Sequence, residues 1–342
     1  MYRVAKGHPL PRAVPTRLLT GVTEPGGRAK LSPDLSREMS SRLPLVSVLV
    51  PVWNDAGRLG QCLEALEGQT YPGDLYEVVV VDNDSEEEVG TVVARFKRAR
   101  LVRETRPGSY AARNAGLADA RGQVVAFTDA DCLPEPDWIE KGVARLARGG
   151  ESTIVVGRVE IFPRTPLRPN AVEQYEVHFA LAQREFVRRY SFGATANLFA
   201  WRETFARVGP FLAEVKSGGD LEWGRRAVAR GYSLEYAEDA RVRHPARATL
   251  SQLYSKIVRV AGGLHDLRRI KGRAYLDFDR GPLFELLPPL RAVTRTLREP
   301  SLPRTRDRFK VCAVMLFVRY VQAFERLRLA LPKLWSRQTT AR

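Results

Sequence analysis

The sequence predicts an α/β fold, a single mostly parallel sheet flanked by helices, followed by a basic helical extension. Three observations predict it. From Pro44 onward, short apolar runs alternate with segments of helical period, the pattern of a parallel sheet with helices on both faces. Three of those runs end in Asn or Asp, and ligands of such sheets bind beyond the carboxyl ends of the strands. Charge also divides by region. Residues 1–43 carry 8 Lys/Arg against 3 Asp/Glu, residues 44–240 carry 24 against 29, and residues 241–342 carry 23 against 7. The net +16 of the 342-residue chain therefore sits at its two ends, around a mildly acidic centre.

Residues 1–43 are rich in Pro, Gly and Arg without periodicity, which predicts a disordered or loosely packed basic arm. Residues 45–52 are a buried strand, and Asn54 and Asp55 follow it. Leu59, Cys62, Leu63 and Leu66 then recur at helical spacing over residues 58–67. Pro72 and Gly73 mark a turn. A second buried strand over residues 76–81 runs into Asp82-Asn83-Asp84-Ser85. Residues 89–96 read as a helix, residues 101–103 as a short strand and residues 111–120 as a helix. The next strand begins at Val124 and ends at Asp129-Ala130-Asp131. Alternation puts the two carboxylates on one side of its tip and Ala130 on the other. Two carboxylates so placed repel each other unless a cation lies beside them. A divalent metal holding a diphosphate is one remedy; acidic turn residues closing a strand are the plainer reading.

Several classes are excluded. No Gly-x-Gly-x-x-Gly follows the first strand and no Gly-rich loop ends in Lys-Ser/Thr. The phosphates of a bound nucleotide would then meet metal and basic side chains. Cys62, Cys132 and Cys312 are odd in number and far apart, which suggests neither a disulfide framework nor a zinc site and fits a reducing compartment. No secretory signal is visible, and the apolar run 311–318 is cut by Arg319, short of the ~20 residues that span a bilayer.

The strings VSVLVPVWNDAGRLGQCLEALEGQTYP, VVVVDNDS, RPGSYAARNAGLADARG and VVAFTDADCLPEPDW, with GATANLFAWRETFARVGPF and GGDLEWGRRAVARGYSLEYAEDARVRHPAR, resemble glycosyltransferase family 2. The resemblance spans residues 44–247 and implies a GT-A catalytic domain using a nucleotide-sugar donor, a UDP-sugar first. It implies donor contacts at Pro51, Asn54, Asp82, Asp84, Arg113, Asn114 and Asp129. Asp131 matches the last acid of the family's Asp-x-Asp, which holds Mg2+ or Mn2+ on the diphosphate. His244 is a third metal ligand, a donor to the diphosphate, or a structural turn residue before Pro245.

Asp220 aligns with the second acid of the family's Glu-Asp pair, and Gly219 stands where the first would be. The resemblance implies Asp220 as the general base, with Glu222 next; the plain alternative is that Asp220 N-caps a helix over residues 221–230. One base and one metal imply inversion at the anomeric carbon. Trp53, Trp138 and Trp201 read as core or pocket wall, and Cys132 as buried packing.

Residues 248–342 form the basic extension, with helices over 253–267 and 310–331. In the latter, Val311, Val314, Met315, Val318, Val321 and Phe324 share a side, edged by arginines. Either that side packs on the catalytic domain, or the helix lies on an anionic membrane surface. The arginines lack interleaved aromatics, so no nucleic acid is expected. The partners expected are a nucleotide-sugar donor and a glycan or lipid-linked acceptor. The location expected is the cytoplasm, peripheral at the inner face of the membrane. A sugar-phosphate nucleotidylyltransferase and a non-catalytic membrane or nucleic-acid scaffold are the alternatives.

Overall fold

The computed structural model describes residues 43–276, 284, 286–302 and 304–331. The expected N-terminal arm lies outside them except for Leu43.

Strand and helix alternate as periodicity predicts: β1 (Val46–Val52), α1 (Ala56–Glu67), β2 (Tyr76–Asp82), α2 (Val89–Val93), β3 (Ala99–Arg103), α3 (Ser109–Asp119) and β4 (Val124–Thr128). There follow β5 (Leu133–Pro134), α4 (Trp138–Gly149), β6 (Thr153–Phe162), α5 (Ala171–Phe179), α6 (Gln183–Tyr190), β7 (Asn197–Trp201), α7 (Arg202–Val208), α8 (Gly219–Ala229) and β8 (Ser233–Pro245). The extension holds α9 (Leu250–Lys271), a 3-10 turn (Arg273–Leu276), α10 (Leu290–Leu297) and α11 (Thr305–Ala330).

The strands form one sheet in the order β3-β2-β1-β4-β7-β6-β8-β5. The first four run parallel. β7 is antiparallel to both its neighbours, β6 and β8 are parallel, and β5 is antiparallel to β8. The sheet is thus mixed α/β with a parallel half, flanked by helices. The chain leaves β1 toward β2 and β3, then returns to place β4 on β1's other side, which makes β1/β4 the switch point where such sheets bind ligands.

Pleating sorts β1 between two cores. Val46, Val48, Val50 and Val52 face a cluster with α1 and Trp138 of α4; Leu49 faces one with Phe127, Phe205, Phe211 and Trp223. Phe127 lies 5.5 Å from Phe205 and 5.6 Å from Phe211, ring centre to ring centre. The Asn114 amide grips the Phe211 main chain, accepting from its N–H at 3.0 Å and donating to its carbonyl at 2.8 Å. These contacts fix the chain that leads into α8.

The helices that follow β8 pack on the α/β layers, with which they form one compact unit. Val314 of α11 meets Leu253 of α9 and Val172 of α5. At that junction Glu176 of α5 is fully buried and accepts from Arg247 at 2.8 Å and Lys256 at 2.9 Å. Burial pushes its carboxyl up, but the two cations outweigh that and hold it below the usual range. Removing one member of a buried pair strands the other charges. Glu176→Ala is therefore expected to cost about 3 kcal/mol in urea unfolding, even though Arg247 and Lys256 keep some solvent contact.

Candidate active site

The carboxyl edge of the parallel half gathers the acidic residues that end its strands. Beyond β1, Asn54 takes a left-handed conformation (φ 48°). Its side chain accepts from the Glu86 N–H at 2.8 Å, and its own N–H donates to Ser85 Oγ at 3.0 Å. Beyond β2, Asp82 is buried and accepts from the Ser85 N–H at 3.0 Å, while Asp84 is exposed at φ 63°. Pro51, Asn54, Asp82 and Asp84 therefore lie on two interlocked loops. Trp53 is 66 % exposed, which rules out a place in the core and leaves that of a pocket wall; Trp138 is fully buried.

β4 ends at Thr128, and the two acids beyond it part. Asp129 Oδ1 lies 2.5 Å from Arg113 Nη2. Asp131 faces Arg58 Nη1 at 3.7 Å and His244 Nε2 at 3.6 Å. The regular strand stops at Thr128, and beyond it the two carboxylates meet different partners.

The meeting of Asp131 and His244 comes from a two-residue ladder. Leu133 and Pro134 pair antiparallel with Arg243 and Val242, which brings the residues just before β5 against the end of β8. A bulge shifts β8 by several residues between its partners Gly157 and Arg158, and Asn197 spans it, donating to Ala240 O at 2.9 Å and Arg158 O at 2.8 Å. His244 Nδ1 lies 2.8 Å from Pro245 O. A hydrogen bond donated from Nδ1 to that carbonyl would orient the ring with Nε2 toward a cation held beside Asp131, as second-shell bonds do in metal-binding histidines. The carboxylate oxygen suits Mn2+ or Mg2+, and the imidazole nitrogen favours Mn2+ of the two. Cys132 Sγ lies in the same cluster, with the three ligand atoms within 4.8 Å of one another. That thiol is fully buried, and burial with Asp129 and Asp131 nearby pushes its pKa well up. It stays protonated and is a poor ligand for a hard cation.

α8 carries the last acid. Gly218 caps the helix at φ 84° and Gly219 is its first residue, so Asp220 stands inside the first turn and is not the N-cap. Asp220 Oδ1 accepts from Tyr110 Oη at 3.0 Å and from the Leu221 N–H at 2.9 Å. Burial raises its pKa; Tyr110, the Arg113 charge and the Leu221 N–H hold the rise back. Glu222 points elsewhere. It is buried, 2.9 Å from both Arg226 Nη2 and Lys271 Nζ. Burial is outweighed there by the hydrogen bonds from Arg226 and Lys271, and the carboxyl sits below its usual range.

Two residues expected at the donor are also engaged inside the protein. Asn114 is consumed by Phe211. Arg113 is 5 % exposed, reaching Asp129, Ser109 O at 3.2 Å and the Tyr110 ring face at 5.6 Å. The cause is shared: the first turns of α3 tuck under the β4 loop and the Phe211 loop. Sequence reasoning missed Tyr110, Arg58 and Asn197. Tyr110 lies within a quoted motif, but nothing local reveals a partner 110 positions away.

The model for glycosyl transferase family 2 matches residues 47–209. Glycosyltransferase AglE of Haloferax volcanii is 38% identical over 230 residues, which are 66% of this chain and 74% of AglE. The chain belongs to glycosyl transferase family 2. A probable glycosyltransferase of Bacillus subtilis, YdaM, is 32% identical over 133 residues, 36% of this chain and 32% of YdaM. The mannosyltransferase PcManGT from Pyrobaculum calidifontis, solved with GDP-Man and Mn2+, shares the fold. Its TM-score is 0.58 at 23% identity, covering 87% of this chain and 89% of that one. GalNAc-T7, solved with UDP, GalNAc and Mn2+, has TM-score 0.51 at 16% identity over 71% of this chain and 51% of its own. The family 2 protein is an enzyme, a glycosyltransferase of GT-A fold.

Proposed function

We propose that the chain is an inverting transferase that moves one sugar from a nucleotide sugar to a hydroxyl of a lipid-linked glycan or polysaccharide precursor. One observation carries the reading. Arg113 joins Asp129, two residues from the Asp131–His244 pair, to the Tyr110–Asp220 pair. One sheet edge thus holds a cation-binding pair and a hydrogen-bonded carboxylate, braced through one buried guanidinium.

Asp131 and His244 hold Mn2+ or Mg2+ in this reading. When bound, the cation neutralises the diphosphate as charge develops on the leaving group. The loops of Pro51, Asn54, Asp82 and Asp84 take the nucleoside. Asp129 fixes Arg113 beneath the donor. Asp220 accepts the proton of the acceptor hydroxyl, and its raised pKa makes it a stronger base than an exposed carboxylate. Glu222, held by two cations, is set aside. A single base and a single displacement invert the anomeric carbon.

A UDP-sugar is the donor carried forward. A thermal-shift panel of UDP-sugars and GDP-mannose with Mn2+ decides the base, since a ligand bound only by the folded state raises Tm. Release of a nucleoside diphosphate from the donor that binds supports the transferase. Release of pyrophosphate from a nucleoside triphosphate and a sugar phosphate contradicts it in favour of a nucleotidylyltransferase.

Membrane association belongs to the same proposal, at a new place. No helix among the described residues is long and apolar enough to cross a membrane. On α11, Val311, Val314 and Met315 are buried while Phe324 is exposed, so half of the face expected on lipid is spent on packing. Exposed apolar side chains instead gather at Phe284, Leu286, Leu287 and Leu290, followed by exposed Arg291, Arg295 and Arg298. Apolar side chains beside arginines suit an anionic headgroup layer. The full chain should float with vesicles containing anionic lipid, and substituting Leu286, Leu287 and Leu290 by Ser should abolish flotation. Unchanged flotation of that variant contradicts this placement.

A further inference from the structure

We propose that Tyr110 is a positioning residue for the general base, and that Gly219 is there to admit it. The inference rests on the reading of Asp220 as base. The Tyr110 ring is buried among Phe211 and its neighbours, 5.8 Å from the Phe211 ring centre. Its hydroxyl donates to Asp220 Oδ1 at 3.0 Å. Among the described residues, the donors that reach Asp220 from elsewhere, Tyr110 Oη and the Leu221 N–H, both end on Oδ1. Oδ2 is the oxygen assigned to the acceptor's proton. Two bonds on one oxygen fix the plane of the carboxylate, and pre-orientation of that kind separates a positioned base from an exposed acid.

Gly219 explains how the ring gets there. A Cβ on residue 219 would stand 2.9 Å from Tyr110 Cδ2 and Cε2, closer than non-bonded carbons tolerate. A side chain at 219 and the Tyr110 ring exclude each other. The glycine that stands in place of the family's first acid thus makes room for an aromatic ring. Arg113, whose guanidinium lies over the other part of the ring at 5.6 Å, closes the arrangement.

The groups that face Asp220 are Tyr110 and Arg113, both from α3; Glu222, the next acid on α8, is turned to Arg226 and Lys271. The hydroxyl hydrogen bond lowers the Asp220 pKa, so its loss should move the acidic limb of kcat/KM to higher pH. Tyr110→Phe keeps the ring and removes only that bond. The expected result is a fall in kcat of about 10- to 100-fold, the scale of a hydrogen bond to a charged group, with the donor KM within about twofold and the acidic limb shifted upward. Gly219→Ala should displace the ring and lower kcat to a similar degree. The double variant should then lose no more than the worse single one, because both break one contact. Wild-type kcat and an unmoved acidic limb in Tyr110→Phe, or fully additive losses in the double variant, overturn the inference while leaving Asp220 as base. A fully active Asp220→Asn enzyme overturns the base reading itself.

Discussion

Asp220→Asn is expected to lower kcat by about two to four orders of magnitude, the range that a positioned general base contributes. The amide keeps the shape, and its oxygen still accepts from Tyr110 and Leu221, so α8 should stay in place. What disappears is the group that removes the acceptor's proton. The donor KM should change little, because Asp220 is not among the donor-binding loops. In the unaltered enzyme activity should fall as pH drops through the Asp220 pKa. Burial, opposed by Tyr110 and Arg113, sets that pKa above the usual carboxylate value, so the fall begins at higher pH than for an exposed acid. Steady-state kinetics with saturating acceptor, run across pH, check both points. Activity in Glu222→Gln is a separate matter: that change strips a buried carboxylate from Arg226 and Lys271 and acts through stability.

Asp131→Ala should abolish turnover, with a loss of at least about two to three orders of magnitude, as when one stabilising group is taken from a developing oxyanion. Mn2+ should no longer raise the affinity for the nucleotide sugar. The folded state should not suffer. Burial and Asp129 push the Asp131 carboxyl up, more than His244 and Arg58 pull it down, so its ionised form costs stability at neutral pH while no cation is bound. Thermal unfolding in metal-free buffer should therefore give a Tm no lower than that of the unaltered chain. A large drop in Tm would mean that Asp131 is chiefly a structural residue.

The parallel half of the sheet was legible because buried strands leave apolar runs that no helix of that length explains, and because Val52, Asp82 and Thr128 end three of them at one edge. β7 was not legible. Its residues Asn197–Trp201 are as apolar as a parallel strand, and a run of that kind carries no mark of direction. Asp131 and Asp220 could be named from their motifs. The partner of each could not, because the partners arrive through tertiary structure. His244 reaches Asp131 through a two-residue ladder and a bulge. Tyr110 reaches Asp220 across 110 positions. Arg113 shows the converse: its motif suggested a ligand contact, while packing under the β4 loop turned it into an internal brace. The apolar side of α11 left two readings open for a similar reason. Periodicity marks a face that leaves water, and Leu253 and Val172 remove Val314 from water as well as lipid would.

The central claim is a single displacement, with leaving-group charge met by the cation that Asp131 would hold and the acceptor's proton taken at Asp220. The configuration of the product measures it most directly. With a nucleotide sugar that binds in the presence of Mn2+ and an acceptor that is turned over, the anomeric proton of the first product formed is followed by NMR. An α-linked donor should yield only the β-linked product. An α-linked product would require a second displacement or front-side departure, and would contradict the account.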